Sequence, residues 1–133
     1  MTFTESERAY LTAQPLGRLA TLGPDGAPQV NPVAFRLNGD AIDIGGPALA
    51  GSRKYRNIQA DPRISFVVDD NANHPVGPGG QRGRGLELRG RAELLDLDRP
   101  LLPGFTNEVI RLHAHRLVAW NLDGPGRNAR NVP

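Results

Sequence analysis

Short apolar runs separated by Gly- and Pro-rich turn signals are the feature that most constrains the fold of this 133-residue chain. Its 16 Gly and 12 Pro residues interrupt the apolar segments too often for a bundle of long helices. Runs of this length between turns are typical of β-strands. We therefore expect a mostly β protein.

The first half of the chain predicts a meander of three strands. Residues 16–22 (LGRLATL) and 28–37 (PQVNPVAFRL) flank the turn cluster GPDG at 23–26. Asn38-Gly39 then favours a tight hairpin, because both residues tolerate a positive φ, and the chain continues into 41–45 (AIDIG).

Two short helices are also predicted. Thr4 and Glu7 have the spacing of a capping box, which indicates a helix over residues 5–13 that Pro15 ends. Ser52 is the N-cap candidate of a second helix within 52–60, which ends before Pro62.

The second half predicts longer strands and one long loop. Residues 63–69 (RISFVVD) form the strongest strand pattern, and 84–95 alternate polar and apolar residues, with Gly90 as a bulge or close-approach point. We expect the Gly/Pro-rich segment 71–83 to be a mobile loop. The last strands are predicted at 107–113 and 116–122, followed by a polar tail over 123–133 that stays loose.

Together these elements predict one domain, residues 1–122, with six or seven strands and two short helices. Closing the strands into an antiparallel barrel would remove unpaired edges. The predicted fold class is therefore mostly β, with six to seven antiparallel strands closed into a barrel.

Composition excludes several functions. The absence of Cys removes disulfides, thiolate metal sites and a cysteine nucleophile. The net charge of +2 and the scattered Arg residues argue against nucleic-acid binding. With no membrane-length apolar run and no secretory signal pattern, we expect a cytoplasmic protein.

The segment 51–57 (GSRKYRN) carries the chemistry. If Ser52 caps a helix, free backbone amides meet Arg53 and Lys54, the chain's one lysine, in an arrangement suited to a phosphate. The alternative is a solvated basic first turn, although positive charge at a helix N-terminus is unfavourable without an anion.

This order of elements, with PVAF in the second strand followed by SRKYRNIQADPRISFVV, resembles the flavin-binding split barrel of pyridoxamine 5'-phosphate oxidase-like (PPOX class) proteins. Within this family, the sequence most resembles the actinobacterial branch that depends on coenzyme F420. The resemblance covers roughly residues 5–122, and the SRK-x-x-N-x-x-x-x-P-R spacing is its most specific part.

The resemblance implies a cofactor site. Ser52, Arg53 and Lys54 would hold the cofactor phosphate, and Asn57 belongs to the same motif. The second strand would run beside the ring, and the end of the third would lie near the phosphate and ribityl chain; these residues are Val30, Asn31, Pro32, Val33, Ala34, Phe35, Ile44, Gly45 and Gly46. VNPVAF lacks the basic residues that flank this strand in the vitamin-B6 oxidases, and the chain lacks their C-terminal extension, which disfavours that activity.

Trp120 has two interpretations: an aromatic side chain against the cofactor or dimer seam, or a core or interface residue. His113 and His115 would share one strand face, but no third ligand stands near and we expect no metal site. His74 is expected to be solvated.

The leading hypothesis is an F420-dependent oxidoreductase that transfers hydride to a small conjugated substrate, with no catalytic side chain required because the cofactor does the chemistry. FMN is the alternative cofactor, and Arg56 or Arg36 near the mouth would favour the longer anionic tail of F420. A non-catalytic carrier of either cofactor is the alternative function.

We also expect a homodimer whose second subunit covers the ring. The loop at 71–83 is expected to lie near the cofactor mouth as a lid or substrate selector.

Overall fold

The computed structural model describes residues 2–133. In this range the chain forms seven β-strands, of which β3 is buried at every position and β7 is polar, and the two capped segments form two α-helices. Their bounds in chain order are α1 (Glu5–Ala13), β1 (Leu16–Leu22), β2 (Pro28–Asn38), β3 (Ala41–Gly45), α2 (Arg53–Ala60), β4 (Arg63–Asn71), β5 (Gly83–Asp96), β6 (Glu108–Trp120) and β7 (Arg127–Asn131). A short 3₁₀ turn, Leu49–Gly51, precedes α2.

The strands form one antiparallel sheet in the order β3-β2-β1-β4-β5-β6-β7. Pairing of Ile42 with Leu112 and of Ile44 with Ile110 joins β3 to β6 and closes six strands into a barrel. β7 adds a seventh strand outside this ring, on the free side of β6. The prediction of a split barrel with six or seven strands is confirmed.

The core lies inside the barrel, where alternate residues of neighbouring strands meet in register. Leu19, Phe66, Leu88 and Leu117 form one such row across β1, β4, β5 and β6, and each is at most 1% exposed. The rings of Phe66 and Phe35 pack edge to face with centroids 5.2 Å apart. Burial of such side chains stabilises the fold by roughly 1.5–3 kcal/mol each.

The two helices lie at opposite ends of the barrel. Tyr10 of α1 donates a hydrogen bond to Asp70 near the end of β4, whereas Asp61, directly after α2, pairs with Arg63 at the start of β4. With about 3.3 Å per residue, the two ends of β4 are roughly 26 Å apart. We call them the α1 end and the α2 end.

Two predictions for the C-terminal third are wrong. Residues 107–113 and 116–122 belong to a single strand, β6, because the interruption is a β-bulge and not a turn. At this bulge Arg89 pairs with Arg116 but Gly90 pairs with Ala114, so His115 is the extra residue. A Cβ at Gly90 would lie 2.1 Å from the carbonyl oxygen of His113, which confirms the predicted bulge position.

The tail is also more ordered than predicted. Residues 127–131 form β7, which pairs with β6 from Trp120 to Arg116. Arg130 of β7 also binds the buried carboxylate of Glu7 on α1, with Nη1 2.8 Å from Oε2. The last strand therefore connects the barrel wall to the helix at the α1 end.

Within residues 2–133, neither helix has the length and apolarity needed to cross a membrane.

Candidate functional site

The start of α2 presents backbone donors and positive charge without an acceptor. Ser52 is the N-cap, and its Oγ accepts from the N–H of Tyr55 at 3.3 Å. The N–H groups of Arg53 and Lys54 make no hydrogen bond within residues 2–133, as expected for the first turn of a helix. These are the donors that a bound anion uses.

The side chains of Arg53 and Lys54 add two cations at this point. Arg53 is exposed and Lys54 half-buried, and neither forms an ion pair or a hydrogen bond within the described part of the chain. Two cations beside the positive end of a helix dipole repel it unless an anion binds there. The donor set therefore fits a phosphate.

The Ser52 hydroxyl is committed to the protein itself. It donates to the carbonyl of Leu49 at 2.6 Å while it accepts from Tyr55. Its observed role is to shape the turn and cap the helix, and contact with a phosphate would require the hydroxyl to rotate away from Leu49.

Two carboxylates, those of Asp96 and Glu108, lie near the start of α2. Glu108 accepts a hydrogen bond from the N–H of Ala50 at 3.2 Å. Burial, and the negative charges of Asp96 and Glu108, raise the pKa of Tyr55. Glu108 holds the 3₁₀ turn in place, and neither acid pairs with Arg53 or Lys54 within residues 2–133.

Asn57 is buried and fastens α2 to the barrel. Its Nδ2 donates to Thr21 Oγ1 at 3.0 Å and to Gln29 Oε1 at 2.8 Å, so it bridges β1 and β2. Sequence reasoning placed Asn57 among the cofactor-binding residues, but both of its amide hydrogens are used within the protein. The structure gives it a supporting position under the site.

The N-terminal half of β2 is paired on one side only. Residues 28–34 pair with β1, while β3 pairs only with 34–38. The segment that leads from β3 into α2 is attached to β2 at both ends, by pairing of Gly45 with Ala34 and by the Asn57–Gln29 hydrogen bond. Val30, Asn31 and Pro32 are exposed along this free side, and Pro32 suits it because an edge strand needs no ladder donor there.

Three of the other predicted contacts point into the core. The side chains of Val33, Phe35 and Ile44 are at most 6% exposed, so only their backbone is available to a cofactor. Gly46 follows β3, and its carbonyl accepts from the N–H of Thr106 at 3.0 Å.

The outer face next to β2 carries an apolar trough. Two adjoining hollows of about 240 and 180 Å³ share Ala20 and Ser65 and reach from Pro28 and Val30 across to Val67. Val30 is 67% exposed and Leu16 on the same sheet face is 53% exposed. We call this surface the outer trough.

Trp120 lies at the α1 end, opposite α2. It pairs with Gly85, where a Cβ would be 2.4 Å from the indole Cζ2, so the ring lies flat over the glycine and is partly exposed. Within one chain it is therefore not next to Ser52, Arg53 and Lys54.

Other predicted residues divide between the two ends. Arg56 donates to the carbonyl of Gly51 at 2.7 Å and is beside the start of α2. Arg36 lines a shallow groove with Thr12 of α1. The loop that joins β4 to β5 lies over α1, so within one chain it is at the opposite end from Ser52, Arg53 and Lys54, and its position at a cofactor mouth stays a prediction.

A closed barrel whose second helix begins with free amides and two cations that are unpaired among the described residues fits the class of small β-barrel proteins that bind an anionic ligand, and comparison with known proteins identifies the family. The family model described as Pyridoxamine 5'-phosphate oxidase matches residues 3–132. The chain belongs to this family.

A relative from Streptomyces rimosus, named 5a,11a-dehydrotetracycline/5a,11a-dehydrooxytetracycline reductase, is 37% identical over 99% of this chain and 94% of its own length. A solved F420 reductase is similar in structure, with a TM-score of 0.64 and 26% identity over 86% of this chain and 98% of that one. A FAD-binding protein from Mesorhizobium loti shares the fold, with a TM-score of 0.61 and 22% identity over 92% and 90% of the two chains. The chain is an oxidoreductase of this family.

Proposed function

We propose that this oxidoreductase depends on F420 and transfers hydride between the deazaflavin and a conjugated organic substrate. The observation that carries the proposal is the start of α2, where Arg53, Lys54 and two free amides have no acceptor among residues 2–133. The similarity to an F420 reductase supports the choice of cofactor.

In this proposal Arg53 and Lys54 neutralise the cofactor phosphate, while their N–H groups donate to its oxygens. The chemistry that F420 supplies when bound is transfer of a hydride. The exposed side of β2 from Val30 to Pro32 orients the ring, with backbone contacts from Val33, Ala34 and Phe35. Arg56, beside the α2 start, is available to the longer anionic tail of F420.

A second copy of the chain would complete the site. Val30 and Leu16 are the exposed large hydrophobic residues of the described chain, and Val30 borders the outer trough. Covering the trough with the same surface of a second copy, related by two-fold symmetry, would exclude water from the ring. We therefore propose a homodimer with two equivalent sites.

The substrate class follows from the relative's name. A reductase of dehydrotetracyclines reduces a conjugated carbon–carbon double bond in a multi-ring molecule. In this proposal the substrate lies between the two copies, where the apolar lining of the outer trough suits the flat face of such a compound.

The experiment that tests this proposal is a turnover assay with purified protein. Reduced F420 and reduced FMN are each mixed with a panel of conjugated enones, including multi-ring ones, and oxidation of the cofactor is followed by absorbance. We expect substrate-dependent oxidation of reduced F420 and much slower oxidation of FMN. Faster turnover with FMN would overturn the choice of cofactor, and tight binding without turnover on any substrate would favour a carrier.

A further inference from the structure

A second concave surface lies at the α1 end, far from the start of α2. It is a groove of about 490 Å³ between α1, the β4–β5 loop, the start of β5 and the turn after β6. This volume is within the range of small-molecule sites. None of the residues assigned to the cofactor lines it.

The groove contains a fixed guanidinium. Arg84 forms a bidentate pair with Asp70, with Nε 2.8 Å from Oδ1 and Nη2 3.1 Å from Oδ2. Its guanidinium carbon also lies 5.3 Å from the ring centroid of Tyr10. Because two of its nitrogens are held this way, the third, Nη1, is held in place as well, and it has no hydrogen-bond partner within residues 2–133.

The groove offers hydrogen-bond donors, although the Arg84–Asp70 pair itself has no net charge. Its lining contains Arg84 and His74 but no carboxylate. The nearby Asp70 is already neutralised, since it accepts from Arg84 and from the Tyr10 hydroxyl at 2.8 Å. The hydrogen bonds from Arg84 lower the pKa of Asp70, which keeps that pair ionised and the guanidinium anchored.

One wall of the groove is flat. Ala9 and Ala13 of α1 line it one helical turn apart, and Val76 lines it from the loop. Short side chains on a helix leave room for a planar ring, whereas the donors of Arg84 and His74 suit a carboxylate.

We propose that this groove is a second ligand site, separate from the cofactor site, which binds a planar aromatic carboxylate. The ring lies against Ala9 and Ala13, and the carboxylate accepts from Arg84 Nη1 and the His74 imidazole. This proposal does not depend on the F420 assignment, because it uses different residues at the opposite end of the barrel.

Salicylate is the probe and salicylamide, its neutral analogue, is the matched control. Each is titrated into cofactor-free ¹⁵N-labelled protein, and amide shifts are followed. We expect saturable shifts at Ala9, Ala13 and Val76 with salicylate and weaker, unsaturated shifts with salicylamide. Loss of the charge-assisted hydrogen bond in His74→Ala should weaken binding about tenfold, while His115→Ala, a change at an exposed histidine on β6, should not.

Two further variants locate the site. Ala9→Phe fills the groove and should abolish the shifts, whereas Thr12→Phe, on another face of α1, should leave them unchanged. Lys54→Ala should also leave salicylate affinity unchanged. Unsaturated shifts, shifts centred on residues 53–54, or full binding by the Ala9→Phe variant would each overturn the proposal.

Discussion

The two ends of the barrel are built alike but charged differently. Each is closed by a short helix whose N-cap is a hydroxyl residue, Thr4 for α1 and Ser52 for α2. At the α1 end the first turn is acidic, and Glu7 completes a capping box and binds Arg130. At the α2 end the first turn is basic and contains no acidic residue, and Arg53 and Lys54 form no ion pair within residues 2–133. The α1 end satisfies the helix dipole from within the chain, whereas the basic start of α2 would be satisfied by the anion that we propose binds there.

The largest expected effect is on stability at the α1 end. Glu7→Ala removes a fully buried carboxylate and leaves Arg130 without its partner, which should lower the free energy of unfolding by about 3 kcal/mol. Urea denaturation measures this, with Glu5→Ala as the control because Glu5 is an exposed residue in the same turn. A loss no larger than that of the control would contradict the assigned role of the ion pair.

The next largest effect should be on both stability and cofactor binding. Asn57→Ala removes both hydrogen bonds that fasten α2 to β1 and β2 and leaves buried Thr21 without a donor, which should cost about 2 kcal/mol. Because α2 carries the proposed phosphate donors, cofactor affinity should fall as well. Gln59→Ala, an exposed change on the same helix, should alter neither. Lost stability with wild-type cofactor affinity would show that the site does not depend on this anchor.

A smaller, pH-dependent effect should be confined to the α1 end. Tyr10→Phe removes the hydrogen bond to Asp70 and should cost about 1 kcal/mol at neutral pH. Burial, followed by the bond and charge of Asp70, raises the pKa of Tyr10 in the folded state. Because this pKa is higher in the folded state, Tyr10 stabilises the fold at any pH below the tyrosine pKa of the unfolded chain, about 10. The stabilisation is lost as pH rises beyond that value.

Chemical denaturation of wild type and Tyr10→Phe at neutral and alkaline pH checks this. The stability difference between them should shrink as pH rises beyond the unfolded tyrosine pKa. A difference that stays constant would mean that Tyr10 titrates in the folded protein as it does in the unfolded chain.

The smallest expected effect is that of the β4–β5 loop on the cofactor. Replacing residues 73–80 by a Gly/Ser linker of the same length should leave cofactor affinity unchanged, because the loop lies over α1 and the phosphate donors are at the other end. If the loop selects substrates across the proposed dimer, steady-state kinetics should change. Unchanged kinetics would mean that the loop only connects β4 to β5. Loss of cofactor binding would contradict the claim that the loop and the cofactor phosphate lie at opposite ends of the barrel.

Local sequence signals were sufficient for the first two-thirds of the fold. The capping box of α1, the GPDG and Asn38-Gly39 turns and the β-branched run of β4 each depend on neighbouring residues, and the structure confirms them. β6 and β7 depend on distant partners. His115 interrupts the alternation of β6 only because Gly90 on β5 opens a bulge, and polar β7 is held by β6 and by Glu7, 123 residues away from Arg130.

The sequence predicted the positive charge at the start of α2 but not the hydrogen bonds and side-chain directions around it. The spacing of Ser52, Arg53 and Lys54 identified a basic, capped helix start, and the structure has it. The spacing carried no signal that Asn57 would be used by Thr21 and Gln29, or that Val33 and Phe35 would point inward, since both facts depend on how strands pair.

The most direct test of the central claim is a cofactor titration at the α2 end. F420 and FMN are each titrated into wild type and Lys54→Ala, with Lys54→Arg as the conservative variant and Arg99→Ala as a control at an exposed arginine. Loss of one charge-assisted contact predicts an affinity for F420 about tenfold or more lower in Lys54→Ala. The free energy of unfolding of Lys54→Ala should equal that of wild type. Lys54→Arg should largely restore F420 binding, and Arg99→Ala should leave it unchanged. Equal affinities of wild type and Lys54→Ala for both cofactors would contradict the assignment of the α2 start as the phosphate site.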